Sequence, residues 1–165
     1  MGPELLSQLV ERHAAALVLY ARQWCSAPED VVQEAFLKLV EQRTPPANPA
    51  AWLFRVVRNA AISADRSARR RRRHEETAAG RAPAWFEASD EPGLDAEAVT
   101  AALRVLPVDQ REAIVAHLWG GLTFEQIGEL AGCSSSTAHR RYLTGLAALR
   151  ERLGVPCPRK PLIPN

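Results

Sequence analysis

Residues 52–73 read WLFRVVRNAAISADRSARRRRR. Wound at 3.6 residues per turn, they separate into two faces. Leu53, Val56, Val57, Ala60, Ala61 and Ala64 fall on one side, and Arg55, Arg58, Asn59, Arg66, Arg69, Arg70 and Arg73 on the other, with Ile62 the only apolar intruder. A helix that buries one face and lines the other with guanidinium groups can lie along a polyanion. Arginine suits phosphate because its planar fork donates two parallel hydrogen bonds and keeps its charge at any relevant pH. A solvated helix end with a basic tail would carry the same residues, so the helix alone leaves both readings open.

Charge is distributed unevenly along the 165 residues, although the net value is only +2. Residues 1–73 carry 12 Lys and Arg against 7 Asp and Glu, residues 74–97 carry 1 against 7, and residues 98–165 carry 8 against 5. Two basic blocks joined by an acidic connector describe two polyanion-facing modules. An apolar fraction of 47% supplies a core and argues against global disorder. Cys25, Cys133 and Cys157 are odd in number and far apart, and His13, His74, His117 and His139 have no ligand-like spacing. A disulfide framework, a metal site and a cofactor are therefore not expected. No nucleophile–base pair or phosphate-cradling glycine loop is visible, so neither is a catalytic residue or an enzyme. Ala14 to Tyr20 is too short an apolar run to span a bilayer. With no signal segment legible, a cytoplasmic chain without membrane insertion is expected.

The fold expected is all-α: two small helical domains joined by a flexible linker. The first covers 1–74, the acidic Pro/Ala-rich linker 75–93, the second domain 94–154, and a tail 155–165. In the first, Leu5, Leu6, Leu9, Leu17, Tyr20 and Trp24 recur at helical spacing from Pro3 to Trp24. Ser26 as N-cap and Pro28 in the first turn open a second helix to about Gln42, with Val32, Ala35, Phe36, Leu39 and Val40 inward. Its opposite stripe is Asp30, Gln33, Glu34 and Lys38, mostly acid and amide, which suits a basic partner surface better than DNA. RTPPANP, residues 43–49, cannot be helical because its prolines remove donors and hold φ. The basic helix then starts at Pro49 or Ala50. Within the linker, Trp85 and Phe86 are the one apolar feature, either a docking point or an exposed pair.

In the second domain Pro107 marks a helix with Ile114, Val115 and Leu118 inward, ended by Gly120-Gly121. Thr123 and Gln126 form a capping box for a short helix to Ala131, Gly132 supplies a left-handed turn, and Ser134 caps a last helix to about Leu153. Short helix, glycine turn and longer helix make a helix-turn-helix. Ala138, Tyr142, Leu146, Leu149 and Leu153 face inward, leaving Ser135, Ser136, Thr137, His139, Arg140 and Arg141 toward the front. Hydroxyls and a ring nitrogen suit base edges; the arginines suit phosphate or guanine. A plain helical hairpin with a wet face is the simpler alternative.

These two blocks, in this order, resemble a bacterial RNA polymerase sigma factor of the extracytoplasmic-function (ECF) type, which has only sigma regions 2 and 4. PEDVVQEAFLKLV (Pro28 to Val40) is similar to the core-binding helix, and NPAAWLFRVVRNAAISADRSARR to the helix that reads and melts the −10 element. LPVDQREAI followed by LTFEQIGELAGCSSSTAHRR is similar to the helix-turn-helix that reads the −35 element. The resemblance implies core polymerase as partner, through its largest-subunit clamp helices and its flap, and promoter DNA. It also admits an anti-sigma factor. It implies core contacts at Asp30, Gln33, Glu34 and Lys38, and −10 contacts at Asn48, Trp52, Arg55, Arg58, Asn59, Arg66, Arg69 and Arg70. The −35 contacts would be Ser135, Ser136, Thr137, His139, Arg140 and Arg141.

Trp52 lies at the border of the two faces and suits the core equally well. Extracting a −10 base costs a few kcal/mol, which a pocket at the proline loop and a basic, aromatic surface would offset. Gly128 and Ala138 stand where the family usually has alanine and often valine, which is expected to loosen packing by about 1 kcal/mol each. Thr144-Gly145 replaces a more basic pattern, so weaker −35 phosphate contact is expected. A stand-alone helix-turn-helix regulator is the rival function; it gives no reason for the acidic stripe.

Overall fold

In the computed structural model, residues 2–74 and 96–154 are described. The expected linker, Trp85-Phe86, the tail and Cys157 lie outside them. Among the described residues seven α-helices follow in order: α1 Pro3–Ala21, α2 Pro28–Val40, α3 Pro49–His74, α4 Ala96–Arg104, α5 Val108–Leu118, α6 Phe124–Ala131 and α7 Ser135–Arg152. No strand occurs among the described residues.

Helices α1, α2 and α3 pack mutually into the first block, while α5, α6 and α7 form the second, with α4 against α7. Each first-block helix begins with proline at its first position, where the lost N–H would have been unpaired anyway. The core of this block is Leu17, Tyr20, Leu39, Leu53, Phe54 and Val57, all at or below 1% exposure. Phe54 was missed in the sequence because it sits beside Arg55 at the edge of the apolar stripe.

Three local expectations change. The N-cap of α2 is Ala27, with no side-chain cap hydrogen bond, not Ser26. Helix α1 stops at Ala21, and the amides of Gln23 and Trp24 bond three residues back instead. Val40 and Leu118, expected inward, are about half exposed at 49% and 51%, each as the last residue of its helix.

The two helical blocks also meet each other. Helix α1 packs on α5 and α3 touches α6, so buried residues of both blocks join in one core. Arg111 Nε donates to Gln23 Oε1 at 3.3 Å across this seam.

Candidate nucleic-acid interface

Helix α3 starts where Asn48 places it. The Ala51 amide donates to Asn48 Oδ1 at 3.0 Å, satisfying one of the open donors of the first turn. From that start the apolar positions turn inward, and Arg55, Asn59, Arg66 and Arg70 form an exposed stripe at spacings of four, seven and four residues. Arg69 is also exposed but bonds Asp65 one turn back at 2.8 Å. Trp52 is partly buried and packs on the core, which favours its structural role.

Arg58 is placed differently from the sequence reading. Its Nε donates to Glu112 Oε1 at 2.6 Å and Nη2 to Oε2 at 3.5 Å, while the guanidinium lies 5.8 Å from the Trp24 ring centroid. It therefore faces the second block rather than the open side with Arg55 and Asn59. The reason is tertiary: Arg58 borders the buried face, and Glu112 arrives there on α5. Tyr20 Oη donates to the same Glu112 oxygen at 2.5 Å. Burial first, then the adjacent carboxylate, push the Tyr20 phenol well above its ordinary range and keep it a neutral donor. Sequence reading missed Glu112. The available signal was its place three and four residues before the buried Val115 and Ala116, where a carboxylate needs a partner.

On α2, Asp30, Gln33, Glu34 and Lys38 are all exposed on one stripe, with Lys38 Nζ 2.7 Å from Glu34 Oε1. A cleft of about 790 Å³ runs between the end of α1, the start of α2 and the later half of α3. Asp30 and Glu34 line one wall, Asp65 and Arg69 the other. The acidic stripe and the basic helix thus adjoin without merging.

The helix-turn-helix takes the geometry its residues specify. Thr123 Oγ1 accepts from the Gln126 amide at 3.3 Å, and Gln126 Oε1 accepts from the Thr123 amide at 2.9 Å. Gly132 has φ +69°, a conformation that favours glycine. Ser134 Oγ accepts from the Thr137 amide at 3.2 Å and lies 3.0 and 2.9 Å from the hydroxyls of Ser136 and Thr137. Under the turn, the His117 ring stacks on Phe124 with centroids 4.4 Å apart, and Tyr142 meets His117 edge-on. Ser135, Ser136, His139 and Arg140 are exposed, whereas Thr137 is half-buried. His139 leans on Phe124 with centroids 4.7 Å apart, which limits its ring's freedom. Arg141 is turned back: its Nε lies 3.0 Å from Asp109 Oδ2, and Nη1 donates to Cys133 Sγ at 3.4 Å.

Two expected weaknesses of this unit are instead fits. A Cβ on Gly128 would stand 2.7 Å from the Cys133 carbonyl oxygen and 3.2 Å from the Ser134 backbone, so glycine lets the turn close onto α6. Gly145 is buried, and a Cβ there would meet Ile114 Cδ1 at 2.9 Å and Gln110 Cβ at 3.0 Å. It belongs to the α5–α7 crossing, not to a phosphate-facing side. Among the described residues no group of three or more His, Cys, Asp or Glu is placed to hold a metal, and no helix is long and apolar enough to cross a membrane.

Comparison with known proteins bears on both blocks. Residues 9–72 match the family described as Sigma-70 region 2, and residues 96–149 the one described as Sigma-70, region 4. The chain is 35% identical over 134 residues to the RNA polymerase sigma factor CarQ of Myxococcus xanthus, covering 76% of this chain and 74% of that protein. It is 32% identical over 162 residues to the ECF RNA polymerase sigma factor SigL of Mycobacterium tuberculosis, covering 92% of each. Its fold superposes on that of the sigma factor RpoE from Bartonella quintana, solved with the anti-sigma factor NepR. The TM-score is 0.75 at 26% identity, over 94% of this chain and all of that one. Region 2 followed by region 4, on a helical frame with a basic helix in one and a helix-turn-helix in the other, places this chain in the sigma-70 family of RNA polymerase sigma factors, within its ECF group.

Proposed function

We propose that this sigma factor divides its work among three surfaces: the α2 stripe for core polymerase, the outer edge of α3 for the −10 element, and the front of α7 for the −35 element. Binding core polymerase, directing it to promoters and assisting opening is the activity of the family to which the chain belongs. The observation that carries the residue-level reading is the separation of charge on adjacent helices. Asp30, Gln33 and Glu34 present acid and amide, while Arg55, Asn59, Arg66 and Arg70 present base, each on one exposed stripe.

Under this reading the α2 stripe meets a basic surface of the clamp helices of the largest subunit, and the region 4 block also meets the flap. Arg55, Arg66, Arg69 and Arg70 hold the strand by phosphate contact, while Asn59 can read a base edge. Ser135, Ser136, His139 and Arg140 are the residues of α7 free to enter the major groove. The chain contributes binding rather than bond chemistry and acts in the cytoplasm, on the nucleoid-bound polymerase. The RpoE neighbour was solved with an anti-sigma factor; we assign this chain a partner of the same kind.

Purified chain mixed with core polymerase tests this reading. Co-elution and transcription from a cognate promoter are the expected results. DNA binding intact without any core binding would favour a stand-alone regulator and overturn the assignment of the α2 stripe.

A further inference from the structure

The contact between Glu112 and Arg58 joins residues 54 positions apart and holds an arginine of α3 against the second block. Glu112 is 3% exposed, and its Oε1 accepts from both Tyr20 Oη and Arg58 Nε. Around it the seam is closely fitted. Phe54 of α3 is fully buried, and a Cβ on Gly120, at the end of α5, would stand 2.6 Å from Phe54 Cζ. Tyr20 packs edge-on against both Phe54 and Trp24, with centroids 5.0 and 4.9 Å away. Glu112 takes the Nε–Nη2 edge of the Arg58 guanidinium and pairs its charge, so a phosphate that approaches in the same bidentate geometry competes for that edge.

We propose that Glu112 is an intramolecular competitor of DNA phosphate. Its carboxylate occupies Arg58 and, with Tyr20, latches region 4 onto region 2, so that the closed chain masks part of its own −10 surface. This rests on the proposed −10 role of the exposed stripe of α3, which Arg58 adjoins in sequence at Asn59. In the closed form Arg58 is neutralised and turned away from the exposed stripe of Arg55, Asn59, Arg66 and Arg70. Opening the seam frees one more arginine beside that stripe and leaves Glu112 to be solvated. DNA and the latch are then alternative partners of one side chain, and whatever favours one weakens the other.

The full chain and its Glu112→Gln variant, which keeps the side chain's shape and removes its charge, separate the possibilities. Small-angle scattering reads the radius of gyration. Fluorescence anisotropy reads binding to a labelled single-stranded DNA of about 20 nucleotides, longer than one single-strand binding site. Glu112→Gln is expected to expand the chain and tighten oligonucleotide binding by about tenfold, the lower range for a lost charge-assisted hydrogen bond. The gain is expected to vanish in Arg58→Gln/Glu112→Gln. Should Glu112→Gln lose helical circular dichroism, Tyr20→Phe removes one donor while keeping the ring, and about a threefold gain is expected. A variant that folds, stays as compact as wild type and binds no tighter overturns the latch, while wild-type core binding and transcription would leave the proposed function standing. Expansion without any DNA binding by either chain overturns the competition and the assignment of the α3 face together.

Discussion

Asn48 Oδ1 accepts the amide of Ala51 at 3.0 Å, and this one bond sets where the basic helix begins. A residue expected to touch DNA therefore has a structural task as well. Asn48→Ala is expected to cost about 1 kcal/mol of stability, the usual cost of a lost N-cap, whereas Asn48→Asp keeps the acceptor and most of that stability. Chemical denaturation of the DNA-free chain checks this. If Asn48→Ala unfolds like wild type yet impairs promoter opening, its role is entirely in DNA contact.

Gly128 offers a test in which two effects have opposite sign. Helix propensity alone would make Gly128→Ala stabilising by up to about 1 kcal/mol. The Cβ would however stand 2.7 Å from the Cys133 carbonyl oxygen, and that atom is backbone in a tight turn. Overpacking of this kind costs about 1–3 kcal/mol, so the net expectation is destabilisation and a lower Tm. A raised Tm would mean the turn has room to shift.

His13 gives the fold a pH dependence. Its ring is buried, Nδ1 has no hydrogen-bond partner among the described residues, and burial followed by the Arg12 charge holds its pKa below the ordinary 6.5. The unfolded chain therefore takes up the proton first as pH falls. Stability contributed by neutral His13 is present above about pH 6.5 and is lost as pH drops below it. Tm measured between about pH 5 and 8 should fall at the acid end, and His13→Leu should flatten that decline. An unchanged slope in the variant would assign it to other groups.

The α2 stripe can be reversed at little cost to the fold. Glu34 and Lys38 form an exposed pair one turn apart, worth about 0.3–0.5 kcal/mol. Asp30→Lys/Glu34→Lys should thus keep its helical circular dichroism and shift Tm by only a few degrees, while core polymerase binding is lost. Retained core binding would move that contact elsewhere on the chain.

Local chemistry made most elements legible. Prolines at 28 and 49, the Thr123–Gln126 box, Gly132 and Ser134 each act within one helical turn, and each lies where its chemistry requires. The ends of α1 and α2 were less legible, because no glycine follows the last turn of either helix to mark its stop. Phe54 was hidden for a tertiary reason: Gly120 of the second block closes over its ring.

Local pattern in the chain is enough to make it helical, to set two basic blocks, and to fix which faces of α2, α3 and α7 carry polar groups. Those properties follow from periodicity and capping, which act over three or four residues. Which arginines remain available depends instead on how the helices pack. Arg55, Arg66, Arg70 and Arg140 stay exposed, while Arg58 and Arg141 are held by Glu112 and Asp109. An ion pair depends on where two helices meet in space, and residues 54 positions apart leave no local pattern from which to read that meeting.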